Sequence, residues 1–153
     1  MHSSGCEDQD VRQHEETTMI KRWNPSGVAA PAGRYSHLAS VPADHGVVFL
    51  SGQIGAREDG SLAGPDAEAQ TRQAFTNIAV LLDSLGAGPR SVVKLFTLVA
   101  GTEHLDGFRS ALREVFDDWY PDGDWPAQSL AVVAALATPE LAVEVEAVAA
   151  VPR

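Results

Sequence analysis

The spacing of apolar and polar residues changes period several times along the chain, and each change predicts an element. Tyr35 to Val41 (YSHLASV) reads as a strand, and Pro42 to Gly46 has the chemistry of a turn. Gly46 to Ser51 (GVVFLS) is rich in β-branched and aromatic residues, so the pair predicts a hairpin. Residues 55–65 are rich in glycine and carry Asp59 and Pro65, which predicts a loop. The period then becomes helical. Asp66 is a candidate cap; Ala74, Ile78, Leu81/Leu82 and Leu85 share one face, widened by Phe75 and Ala79. Gly86 and Gly88 supply the stop.

Val92 to Val99 (VVKLFTLV) predicts a strand, with Leu95, Thr97 and Val99 facing away from Lys94, Phe96 and Leu98. A second helix is predicted from Leu105 to Tyr120, with Phe108, Leu112 and Val115/Phe116 inward. Asp122-Gly123-Asp124 reads as a turn, and Ala127 to Ala135 and Leu141 to Val151 as the last strands. The order β-β-α-β-α-β-β predicts an α+β domain, a single sheet with both helices on one face. The opposite face would stay open and apolar, and such a face usually marks a subunit interface.

Residues 1–18 (MHSSGCEDQDVRQHEETT) break the pattern: they carry five acids and almost nothing to bury, which predicts a disordered tail. Met19, followed by Ile20-Lys21-Arg22, reads as a natural start, with residues 19–153 as the domain. Asn24 to Gly33 reads as an irregular arm. The whole chain has 153 residues, enough for one domain that buries roughly 68–70% of its unfolded surface.

The formal net charge is −10, from 21 acidic and 11 basic residues, so a polyanion such as nucleic acid would be repelled at long range. The single cysteine, Cys6, excludes an internal disulfide, and no apolar run approaches the ~20 residues of a membrane span. A cytoplasmic protein is expected. The histidines show no metal-ligand spacing, and no nucleophile–base arrangement or phosphate-cradling glycine loop is present.

Several separated segments, taken in order, resemble the Rid (YjgF) family. They are Gly33-Arg34-Tyr35-Ser36, Ser51-Gly52-Gln53-Ile54, Ala69-Gln70-Thr71-Arg72-Gln73 with Asn77-Ile78, Pro126-Ala127-Gln128-Ser129, and Val143-Glu144-Val145-Glu146-Ala147. The similarity spans residues 22–151. It implies a chorismate-mutase-like subunit, a homotrimeric barrel and small-molecule pockets at the subunit interfaces, with neither cofactor nor metal. The activity it implies is hydrolysis of reactive enamines and imines, such as 2-aminoacrylate, to a keto acid and ammonia.

The resemblance also assigns residues. Glu144 matches the glutamate that activates water; by spacing alone Glu144 and Glu146 are two solvated residues on one strand face. Ser51 and Gly52 match the segment whose backbone lines the pocket, and Gly52 is otherwise a turn glycine. Tyr35 matches a pocket tyrosine, and is otherwise an ordinary strand aromatic. Gln128 stands where deaminating members carry the arginine that holds the substrate carboxylate. An amide lacks the two charge-assisted hydrogen bonds of a guanidinium, so 2-aminoacrylate-type carboxylates should be poor substrates. Arg34 is a candidate replacement clamp, and otherwise a surface arginine. Either Leu112 or Arg113 occupies a helix position that is often a pocket asparagine, and Leu130 stands where a cysteine is frequent. His37 shares a strand face with Tyr35, either lining the pocket or held structurally.

Two functions follow. One is a hydrolase of a small imine, enamine or related carbonyl-type metabolite, with Glu144 activating water. The alternative is a non-catalytic homotrimer that binds a small metabolite in the same interfacial pocket.

Overall fold

The computed structural model describes residues 19–153; the acidic segment 1–18, read above as a tail, lies outside the described residues. The order is β1 (Lys21–Trp23), β2 (Leu38–Ser40), β3 (His45–Ile54), α1 (Ala67–Ser84), β4 (Val92–Ala100), α2 (Leu105–Trp119), β5 (Ala127–Val133) and β6 (Val143–Pro152). Four strands form one mixed sheet in the order β3-β6-β4-β5, with β4 and β5 parallel and the other pairs antiparallel. The α+β reading and both helices therefore stand.

The hairpin does not. The strand predicted over 35–41 shrinks to three residues and pairs with β1, Arg22 opposite Ala39, in a separate two-stranded sheet. β3 instead pairs with β6, His45 opposite Pro152. The backbone runs from β2 into β3 through a tight turn, His45 N donating to the Pro42 carbonyl. The chain thus turns where expected without the two arms pairing.

α1 begins at Asp66, whose carboxylate accepts from the Ala69 amide at 2.8 Å. It ends in a Schellman motif. Gly86 takes a φ of 67°, its N–H reaches the Asp83 carbonyl, and Ala87 N–H reaches that of Leu82. Ala74, Phe75, Ile78 and Leu82 of α1 meet Phe108 and Phe116 of α2 over the sheet residues Leu95, Val99, Val143, Val145 and Ala147. Phe75, Phe116, Trp119 and Tyr120 interlock edge to face, with ring centroids 5.2–6.3 Å apart. Leu81 and Leu85, placed inward by periodicity, are half-exposed, because α2 covers only one flank of the α1 stripe.

On the far face of the sheet nothing among the described residues covers the side chains. Phe49 is 79% exposed, and Val47 beside it is also exposed. Phe49 stands opposite Val148, and Phe96 opposite Glu146. The open apolar face read from the sequence is present. No helix among the described residues is long and apolar enough to cross a membrane.

Candidate functional site

The five family-like segments collapse into two clusters. In the first, Ser51-Gly52-Gln53-Ile54 ends β3 against Val143 to Ala147 of β6. A bulge falls at Ser51-Gly52: Leu50 pairs with Ala147 and Gln53 with Val145, so two residues of β3 oppose Glu146 alone. The α1 segment joins them, since Asn77 Nδ2 donates to the carbonyls of Ile54 (3.2 Å) and Ala56 (2.9 Å).

On β6, Val143, Val145 and Ala147 are buried under the helices, while Glu144 and Glu146 face the open side. Strand alternation therefore places the two glutamates as the sequence predicted. The Glu144 side chain folds over the Cα of Gly52. A Cβ built on Gly52 would collide with Oε1, and would lie 2.7 Å from Cδ. Gly52 is not in a left-handed conformation; what requires glycine here is the close approach of Glu144. Among the described residues the Glu144 carboxylate has no hydrogen-bond or ion-pair partner, which leaves its oxygens open to water.

Gly52→Ala tests this contact. The collision is with the movable end of a side chain, so the fold should survive with a fall in Tm of a few degrees, and Glu144 should be found in another rotamer. An unmoved Glu144 in a crystal structure of the variant would refute the account.

The second cluster joins Gly33-Arg34-Tyr35-Ser36 to Pro126-Ala127-Gln128-Ser129. Ser36 N–H donates to the Pro126 carbonyl (3.1 Å), Ser36 Oγ to that of Trp125 (2.8 Å), and Gln128 Nε2 to that of Arg34 (2.6 Å). These bonds hold the irregular arm against the edge strand β5. Tyr35, Gln128 and Leu130 then line a groove of about 500 Å³ whose other wall is Phe108, Leu112 and Arg113 of α2. Both Leu112 and Arg113 reach it, so the two alignments left open by the sequence lead to one place.

Two candidates change character. The Arg34 guanidinium pairs with Asp117 and donates to the Arg113 carbonyl at 3.3 Å, so it is engaged on the flank of α2 rather than free. His37 takes the structural role: its Nε2 lies 2.7 Å from the Ala29 carbonyl, and its ring packs edge-on to Tyr35. Because the partner of Gln128 is a carbonyl oxygen, its amide orientation is fixed, nitrogen toward Arg34. Among the described residues its Oε1, an acceptor, is the atom left without a partner.

One residue that sequence reasoning quoted without a role proves structural. Gln70 is fully buried, and its side chain bonds three backbone groups in two loops. Its signal was visible as a lone amide on the apolar face of α1.

The clusters do not meet within one chain. Glu144 pairs with Leu98 on the open face, whereas Gln128 pairs with the buried Leu95 on the helix side. They are two strand spacings and three residues apart, on the order of 14 Å between Cα atoms.

The fold, with its two clusters of sequence motifs, is that of a small α+β protein class with many solved members. The Endoribonuclease L-PSP family matches residues 27–151, and the chain belongs to that family, the YjgF/Rid proteins. A 2-iminobutanoate/2-iminopropanoate deaminase of Dermatophagoides farinae is 31% identical over 93 residues, covering 60% of this chain and 70% of that protein. Protein HMF1 of Saccharomyces cerevisiae is 31% identical over 121 residues, 79% of this chain and 87% of that one. The Rid-family protein YyfB of Yersinia pestis, of unknown function, superposes with a TM-score of 0.72 at 30% identity. It covers 85% of this chain and 97% of its own.

Proposed function

We propose that the protein hydrolyses a small imine, enamine or related carbonyl-type metabolite at a site assembled between copies of the chain in a homotrimer. The observation that carries this reading is the unpartnered Glu144 carboxylate over Gly52. It is a base held near the start of β6, beside the bulged end of β3, on a face that a neighbouring copy would cover. Imine hydrolysis needs a carboxylate within hydrogen-bond reach of the attacking water, and little else in acid–base terms. The other half of the pocket, Tyr35 and Gln128, faces the opposite side of the sheet. A ligand touching both halves therefore takes them from two subunits. Covering Phe49 and Val47 is the hydrophobic drive for that assembly. A cytoplasmic setting, without metal or cofactor, suits this chemistry.

The nuclease activity in the family description fits poorly, since a chain of net charge −10 repels RNA at long range. The deaminase relative's substrates, 2-imino acids, place a carboxylate next to the reacting carbon. Gln128 offers that group an acceptor oxygen, which repels it. Uncharged imines, or imines whose acid lies elsewhere, fit better. A binding-only trimer remains the second reading, favoured by the same Gln128, because a pocket survives loss of the residue that catalysis of the usual substrate needs.

Purified protein added to an enzymatic source of 2-aminoacrylate and to a panel of uncharged imines should accelerate ammonia release from the panel. No acceleration with any of them, alongside thermal stabilisation by a metabolite, would favour the binding-only reading. Gln128→Arg should raise turnover of 2-aminoacrylate by roughly 10- to 100-fold, the factor expected for one charge-assisted pair. An unchanged rate would show that the pocket differs from deaminating relatives at more than residue 128.

A further inference from the structure

The groove lined by Tyr35 and Gln128 carries more positive charge than its chain leads one to expect. Arg34, Arg109 and Arg113 all border it, in a protein with 21 acids against 11 bases. Elsewhere among the described residues every arginine but Arg153, which follows β6 with no second arginine on that strand, is occupied. Arg22 pairs with Asp124, Arg72 with Glu114, Arg90 with Asp122, and Arg57 donates to the carbonyls of Leu62 and Ala63. Arg34 is neutralised by Asp117. Arg109 and Arg113 are different: among the described residues neither guanidinium has an ion pair or a hydrogen bond. They stand four residues apart on α2, on the flank that borders the groove, where like charges repel. The nearby acid that would relieve Arg113, Asp117, is taken by Arg34.

We infer that Arg109 and Arg113 form an anion clamp on the α2 wall of the groove, which receives an acidic group of the ligand distant from its reacting carbon. This deepens the proposed function and rests on it. The floor of the groove, at Gln128, presents a neutral acceptor oxygen, so the ligand places a donor such as N–H or O–H there. The acid end then lies toward α2. A carboxylate and a phosphate are alike to an arginine fork, so the shared chemistry is a compact oxyanion on a short chain, as in a dicarboxylic semialdehyde imine or its phosphorylated counterpart.

The test is calorimetric titration of the full chain with glutaramate, 3-phosphonopropionamide and the uncharged glutaramide, each of which carries an amide N–H for Gln128. At least one acid should bind, glutaramide should bind at least 10-fold more weakly, and added salt should weaken the acid. Whichever acid binds better names the class. Arg109→Gln with Arg113→Gln should weaken it by about 10- to 100-fold, each single variant by less, and the distant Arg153→Gln should leave it unchanged. These side chains are exposed, so circular dichroism should report native folding in every variant. Equal binding of glutaramide, no acid binding, or an acid affinity indifferent to the double variant overturns the clamp. Because titration needs no turnover, the two ideas fail separately. Glu144-dependent hydrolysis of uncharged imines without acid binding removes the clamp alone. Arginine-dependent acid binding with no imine hydrolysed removes the hydrolase alone.

Discussion

Glu144→Gln is expected to lower kcat for imine hydrolysis by roughly 10²- to 10⁴-fold, the usual worth of a positioned general base. The amide keeps the shape of the side chain over Gly52 and loses the ability to take a proton from water. Affinity for the substrate should change little, because the group acts on the water rather than on the ligand. Steady-state ammonia release over a substrate range separates the two constants. A kcat within twofold of the parent would remove Glu144 from the mechanism and leave only binding. The same variant probes the division of the site between subunits. Tyr35→Ala damages the opposite half, so each variant alone should be impaired. When the two are unfolded and refolded together in equal amounts, about a quarter of the interfaces would combine one intact half from each chain. Recovery of activity toward that fraction is expected, and its absence would place both halves of the working site in one subunit or leave Tyr35 outside it.

The placement of the two clusters on opposite faces of the sheet was not legible in the sequence, although its ingredients were. Alternation along Val143 to Ala147 correctly separated the glutamates from the buried valines, because a period of two is a local property of any strand. Which face of the sheet Gln128 occupies depends on the parallel pairing of β5 with β4, set by a crossover through α2. The hairpin failed for a similar reason. The turn at Pro42 to Gly46 is local, but the partner of β3 is β6, about a hundred residues further on. A partner so distant leaves no mark in the spacing of either strand. β1 was missed outright, since three residues, Lys21-Arg22-Trp23, are too few to display a period. Arg22 compensates. It is nearly inaccessible to solvent, bonded to Asp124 and to the carbonyls of Arg90 and Val92, and stacked near Tyr120. The burial of Tyr120 also holds its phenol in the neutral form well above the ordinary range.

The run Ala69-Gln70-Thr71-Arg72-Gln73 is polar in sequence, yet Gln70 within it is fully buried and holds two loops together. Gln70 Nε2 donates to the carbonyls of Gly64 (3.0 Å) and Glu140 (2.9 Å), and Oε1 accepts from the Ala142 amide at 2.7 Å. One side chain therefore joins the loop before α1 to the loop before β6, and β6 carries Glu144. A Cβ on Gly55 would lie 2.5 Å from the Gln70 Cα, so the end of β3 is pressed against the helix at this point. Gln70→Leu fills nearly the same volume and removes all three bonds, stranding buried backbone groups that each cost about 1–3 kcal/mol. A total loss of roughly 3–5 kcal/mol is expected, or about 10–15 °C in Tm for a domain of this size. Thr76→Ala, on the exposed side of the same helix, should stay within about 0.5 kcal/mol. Urea denaturation of the three proteins measures the difference. If Gln70→Leu proves as stable as the parent, water must replace the amide, and the two loops are not held together through this residue.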